Sequence, residues 1–321
     1  MGSDCAITIA STDTAQARVL ADQGEATVRQ LEALWSRFRP DSELMMLNDA
    51  AGSAFGVSPD TFAAVGYALE AWRLTDGLFD PTLLDALIAA GYDRSFDTLP
   101  SESRNERGLA DSEVSGPAVI DSRHVSGYEV PAPPEVQFDD ETFSITLPAG
   151  LRLDLGGIGK GRAADIVATL LERGGAAGGC VDLGGDIVVF GDRTEGQSWA
   201  VAVDDPAAPG SDLAVIVLDE GAVATSSQGR RRWRTAAGDA HHLIDPRTGA
   251  SARSDLVAVT VVAAEAMWAE VYAKAALIAG SVAGTAMLES AGLAAMLVTD
   301  EAQLVFVGAI DEFMIPTGTS H

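Results

Sequence analysis

The chain has 321 residues, 47% of them apolar and 21% charged, which excludes a wholly disordered chain and fits one large domain or two closely joined lobes. Lys and Arg number 21 against 47 Asp and Glu, and the formal net charge of −26 argues against nucleic acid or an anionic membrane as partner. No run of 18 apolar residues is present and the N-terminal stretch lacks the zones of an export signal, so a cytoplasmic protein is expected. Cys5 and Cys180 lack any CxxC or Cys/His metal spacing and read as reduced structural thiols.

Residues 6–10 alternate as a strand does, and 15–38 carry apolar side chains at helical spacing through Val28, Leu31, Leu34 and Trp35. The run Arg39-Pro40-Asp41-Ser42-Glu43 breaks that helix. Ser58 as N-cap and Pro59 at the first helical position open the next, expected to reach Leu74. The turn-rich segment 75–82 precedes an apolar stretch at 83–90, and 98–134 is polar and aperiodic, as a long loop or insertion would be. Strands are expected at 143–147 and 151–155, followed by a Gly-rich loop at 156–161, a helix at 162–173 and a strand at 181–190. Further strands at 199–203, 214–218 and 256–262 lead to a helix over 264–279, and a helix and two strands close the chain. This irregular mixture reads as α+β: a single domain over 1–321, built as two closely packed lobes with mixed sheets flanked by helices.

The loop Gly156-Gly157-Ile158-Gly159-Lys160-Gly161 lies between a strand and a helix, where free N–H groups and the positive helix end favour an anion such as phosphate. It is not a Walker loop, because Asp154 stands where the first Gly belongs and Gly161 replaces the Ser or Thr. Nor is it a dinucleotide fingerprint, since Arg162 takes the place of the third Gly. Two readings stay open, a tight strand-to-helix connection and a phosphate site; Lys160 and Arg162, in a chain poor in bases, favour the second. His241-His242, close to Asp245-Pro246, is either a proton-transfer candidate or a pair of ordinary surface or core residues. Glu270 and Lys274 stand four apart on one helical face, as an ion pair or at the mouth of a pocket.

Seven segments in order resemble the FAD:protein FMN transferases, the ApbE-type flavin transferases. They are Met1-Gly2-Ser3; Phe38-Arg39-Pro40-Asp41-Ser42-Glu43-Leu44 with Leu47-Asn48; Thr75-Asp76-Gly77-Leu78-Phe79-Asp80-Pro81-Thr82; residues 154–161; Leu183-Gly184-Gly185-Asp186; Ala224-Thr225-Ser226-Ser227; and residues 242–249. The resemblance implies transfer of FMN from FAD to a Ser or Thr hydroxyl of an acceptor protein, with release of AMP. It implies Met1, Phe38, Asn48, Leu78, Phe79, Asp80, Lys160, Arg162, Ser226, His242 and Lys274 around FAD, with His242 as base for the acceptor hydroxyl. It also implies Mg²⁺ on the Gly159 carbonyl and on an Asp and a Thr that match Glu270 and Lys274. A charged lysine cannot coordinate Mg²⁺. Three outcomes follow: Lys274 supplies the positive charge itself, it swings out and metal still binds Glu270, or the protein binds FAD without transfer, as a carrier, sensor or FAD pyrophosphatase.

Overall fold

The computed structural model describes residues 4–98, 135–193, 196–208, 210–229, 231–235 and 238–315; Met1 and all but the first residue of the polar 98–134 stretch lie outside them. The main sheet takes its strands in chain order: β1 (Cys5–Ala10), β2 (Gly178–Leu183), β3 (Asp186–Gly191), β4 (Gly221–Ser227), β5 (Leu256–Ala263), β6 (Ala294–Thr299) and β7 (Leu304–Val307). Every neighbouring pair in this sheet is antiparallel, where mixed sheets were expected. The α+β class holds.

The helices are α1 (Thr14–Trp35), α2 (Glu43–Asp49), α3 (Pro59–Leu74), α4 (Leu84–Ala89), α5 (Gly159–Arg173), α6 (Ala266–Ala279) and α7 (Ser281–Ser290). Asp13 caps α1 by accepting from Ala15 and Gln16 N–H, and Ser58 caps α3 ahead of Pro59. None of the described helices is long and apolar enough to cross a membrane.

Helices α5 and α6 cover one face of the sheet, where Ala164, Val167, Leu171, Met267 and Val271 pack on Val181, Leu183 and Val188. A three-stranded sheet of Trp199–Asp204, Asp212–Leu218 and Met314–Ile315 covers the other, with Val201 and Ile216 against Val189, Val223 and Val262. Coverage on both sides explains why β5 reads Leu-Val-Ala-Val-Thr-Val-Val-Ala rather than alternating. Its one polar residue, Thr260, is buried with its hydroxyl 2.9 Å from that of Thr225.

Three expectations need correction. Residues 151–155 form no strand, because the Asn48 side chain serves as their partner: Leu153 N–H donates to Asn48 Oδ1 at 2.7 Å, and Asn48 Nδ2 donates to the Leu153 carbonyl at 2.9 Å. The segment at 181–190 is the hairpin β2–β3, turned by Gly184 and Gly185 at φ 71° and 92°, angles that side chains disfavour. Finally, α5 starts at Gly159 rather than 162. Gly159 N–H already reaches the Leu155 carbonyl at 2.7 Å, so half of the Gly-rich loop is the helix's first turn.

Candidate functional site

Where α5 begins, α6 passes close enough that no side chain fits between them. A Cβ on Gly161 would lie 2.5 Å from the Ala266 carbonyl oxygen. Asp165, one turn further along α5, accepts from Ala266 and Met267 N–H at 2.8 and 3.0 Å and so caps α6. This contact brings residues 160, 270 and 274 together.

Lys160 Nζ is held between the buried carboxylates of Asp186 and Glu270, and Glu270 Oε2 also accepts from Gly161 N–H at 2.9 Å. Burial opposes the charge on Lys160, but the two carboxylates outweigh it and hold its pKa above the usual lysine value. Burial, with the Glu270 charge, pushes Asp186 upward. Lys160 is therefore a cation paired with two carboxylates, and it lines the cleft.

Lys274, one turn after Glu270 on α6, lies beneath Gly157, where a Cβ would stand 2.7 Å from its Nζ. Its ammonium is 5.2 Å from the Phe79 ring centroid, and it makes no hydrogen bond or ion pair to any described residue. Burial lowers its pKa, against the attraction of Asp154, Glu270 and Asp80 at longer range.

These groups face a cleft lined by Trp35, Arg37, Phe38, Tyr92, Gly156, Gly159, Lys160, Arg231, His242 and Lys274 among others. One wall is aromatic and cationic. The Arg37 guanidinium lies 4.3 Å from the ring centroids of both Phe38 and Tyr92, donates to the Tyr92 carbonyl at 2.8 Å, and approaches Asp154 at 3.7 Å. Tyr92 in turn stacks on Trp233 at 5.1 Å, and Trp233 donates to the Ala90 carbonyl.

The two histidines have different jobs. His241 Nδ1 accepts from Leu243 N–H at 3.3 Å and Nε2 lies 3.0 Å from the Ala252 carbonyl, which fixes a neutral tautomer in the interior. His242 lines the cleft, with Nδ1 buried and without a hydrogen-bond partner. Burial first, then the charges of Arg231, Lys274 and Lys160, hold its pKa well below the ordinary imidazole value, so it is neutral at pH 7. Asp245 serves neither histidine. It makes a two-pronged pair with Arg247 and accepts Gly249 N–H through its carbonyl.

Of the remaining expected residues, Phe38 lines the cleft, Phe79 floors the Lys274 pocket, and Asp80 Oδ1 accepts from the N–H and hydroxyl of Thr82. Leu78 packs on the main core, Asn48 is buried with its amide engaged by Leu153, and Ser226 pairs with Val259 in the sheet. The Arg162 guanidinium covers the Tyr67 ring at 4.9 Å, and neither it nor Ser226 lines the cleft. Met1 lies outside the described residues. Arg37, Tyr92, Asp154, Asp186 and Arg231 were not singled out as site residues from sequence. Arg231 had a signal in the run Arg230-Arg231-Arg232 of an acidic chain, and Asp186 in its Gly-Gly-Asp turn; Tyr92 had none.

The donor set does not fit a divalent cation. Both Glu270 oxygens are engaged, one by an ammonium and one by a backbone N–H, and the position one turn on is a second ammonium with donors only. Among the described residues, no group of three or more His, Cys, Asp or Glu is arranged to hold a metal.

Residues 1–297 match the family model described as the ApbE family. A protein of Vibrio cholerae named FAD:protein FMN transferase is 27% identical over 278 residues, 86% of this chain and 78% of that one. The apo crystal structure of the Pseudomonas stutzeri flavinyl transferase ApbE superposes with a TM-score of 0.75 at 25% identity, covering 98% of this chain and 94% of that one. The ApbE protein of Thermotoga maritima gives a TM-score of 0.81 at 24% identity, over 98% and 97%. The chain belongs to the ApbE family.

Proposed function

We propose that this protein is an FAD:protein FMN transferase, moving the FMN half of FAD onto a Ser or Thr hydroxyl of an acceptor protein and releasing AMP. The observation that carries the reading is the neutral His242 imidazole set in one cleft with the α5 N-terminus and a Lys274 ammonium that has no hydrogen-bond or ion-pair partner among the described residues. Reaction at a phosphate needs a base on one side and positive charge on the other.

In this mechanism His242 accepts the proton of the acceptor hydroxyl as that oxygen attacks the flavin-side phosphorus. The bond from that phosphorus to the bridging oxygen breaks, and AMP leaves with the bridging oxygen. Lys274 and the positive end of α5 bear on the charge that builds on the phosphate oxygens. Phe38, which lines the cleft, offers an aromatic ring to a planar heterocycle. A cytoplasmic setting is part of the same proposal, in keeping with the free thiols of Cys5 and Cys180.

The test is intact-mass spectrometry of the protein, FAD and a Ser/Thr-bearing acceptor fragment. Expected is an acceptor heavier by one FMN less one water, with stoichiometric AMP. His242→Ala should lower transfer by about 10²–10⁴-fold and leave the FAD dissociation constant within about threefold. Free FMN and AMP without labelled acceptor would identify a pyrophosphatase, and intact FAD throughout a carrier; either overturns the reading.

A further inference from the structure

Two lysines reach this site and only one is neutralised. Lys160 has two carboxylate partners, whereas Lys274 Nζ has no hydrogen-bond or ion-pair partner among the described residues. Asp154, Glu270 and Asp80 attract this ammonium only at longer range, so a ligand that brings counter-charge into contact with it is favoured. The cleft that Lys274 lines is open to a ligand, and Gly159 and Lys160 at the start of α5 line it as well. Gly157 has no side chain to shield the ammonium, and a Cβ there would strike both Nζ and the Phe79 ring.

Glu270, one turn earlier, is closed to a cation. Its oxygens are committed to Lys160 and to Gly161 N–H, and Lys274 stands one helical turn further along α6. A divalent ion would have to displace Lys160 and add its charge to that of Lys274.

We infer that the Lys274 ammonium does at the FAD pyrophosphate what a divalent cation would otherwise do, so that this protein binds and uses FAD without metal. The inference rests on the transferase reading for the identity of the ligand. Its first consequence, metal-free recognition of a pyrophosphate, is independent of whether flavin is transferred.

The experiment measures FAD and riboflavin affinity by titration calorimetry on wild-type protein in excess EDTA and again with Mg²⁺, and titrates Mg²⁺ into the FAD-loaded protein. Expected is an FAD dissociation constant that changes by less than about twofold between EDTA and Mg²⁺, with no saturable Mg²⁺ heat. Lys274→Gln should weaken FAD by about tenfold or more while riboflavin, which has no phosphate, stays within about twofold; Lys274→Arg should restore most of the loss. The riboflavin arm also reports whether the variant is folded. Transfer in EDTA should match transfer in Mg²⁺. If EDTA weakens FAD binding tenfold or abolishes transfer and Mg²⁺ restores it, or if Lys274→Gln binds FAD as wild type does, the inference is wrong. A protein that labels no acceptor under either condition, yet shows the Lys274 effect on FAD, refutes the transferase reading and leaves this one standing.

Discussion

Gly161→Ala tests whether the α5–α6 contact builds the site. The new Cβ would stand 2.5 Å from the Ala266 oxygen and 2.6 Å from Met267 N, against 3.4–4 Å for ordinary contact. About 0.9 Å of separation is needed, and every atom in the way is backbone. That backbone is also pinned by the two hydrogen bonds to Asp165 and cannot rotate aside as a side chain would. Overpacking of this kind costs about 3 kcal/mol, the upper end of its range, and better helix propensity returns about 1 kcal/mol, for a net loss of about 2 kcal/mol. At roughly 2 °C per kcal/mol in a chain of this size, Tm falls by about 4 °C. FAD affinity should fall with it, because α6 carries Glu270 and Lys274. The control is Gly66→Ala inside α3, where a Cβ meets nothing within 4 Å; it should gain about 0.5–1 kcal/mol. Thermal unfolding and FAD titration of both variants decide the matter. If Gly161→Ala matched wild type in both, or gained stability as Gly66→Ala should, the contact would not be the constraint described.

Asn48→Ala removes both hydrogen bonds to the buried Leu153 backbone and leaves its N–H and carbonyl unmet, at a cost of about 2–4 kcal/mol; a shift in urea midpoint equivalent to less than about 1 kcal/mol would show that the segment holds without it. His241 has a folded pKa of about 4, below its ordinary value of 6.5, because burial disfavours the charged ring. The unfolded chain therefore takes up its proton first as pH falls, so this stabilisation is complete above about pH 6.5 and is lost progressively toward pH 4, by up to about 3 kcal/mol. Urea midpoints at pH 7 and 4.5 should converge more closely for His241→Gln than for wild type, and an unchanged gap would exclude His241 as a source of the acid sensitivity.

Local physics was legible in the chain and long-range partnership was not. Helix α3 begins and ends where Ser58, Pro59 and Leu74 indicate, since capping and proline geometry act within one turn. Residues 151–155 alternate as a strand would, yet their partner is an amide 105 residues earlier, which no periodicity reports. The Gly184-Gly185 pair between two apolar runs was a hairpin signal, obscured because 181–190 also reads as one strand. Within the site, Phe38, Lys160 and His242, carried by segments of the family resemblance, are found on the cleft, and so is Lys274, which lies outside those segments. Arg37 and Tyr92 are there for a different reason. Their contact is a stack between α1's end and the stretch after α4, invisible until the chain folds.

The Gly-rich loop shows why its two sequence readings are compatible. Gly157 leaves room for the Lys274 ammonium against Phe79, and Gly161 admits the backbone of α6. Gly159 opens the helix whose first residues line the cleft. Each close approach needs the absence of a side chain, as a tight structural connection does. What they bring in, however, is a lysine from α6 to the start of α5, the placement on which the proposed anion site rests. Lys160 and Lys274 look equivalent as cations in the sequence. Asp186 and Glu270 distinguish them by neutralising the first, which leaves the second to meet a ligand.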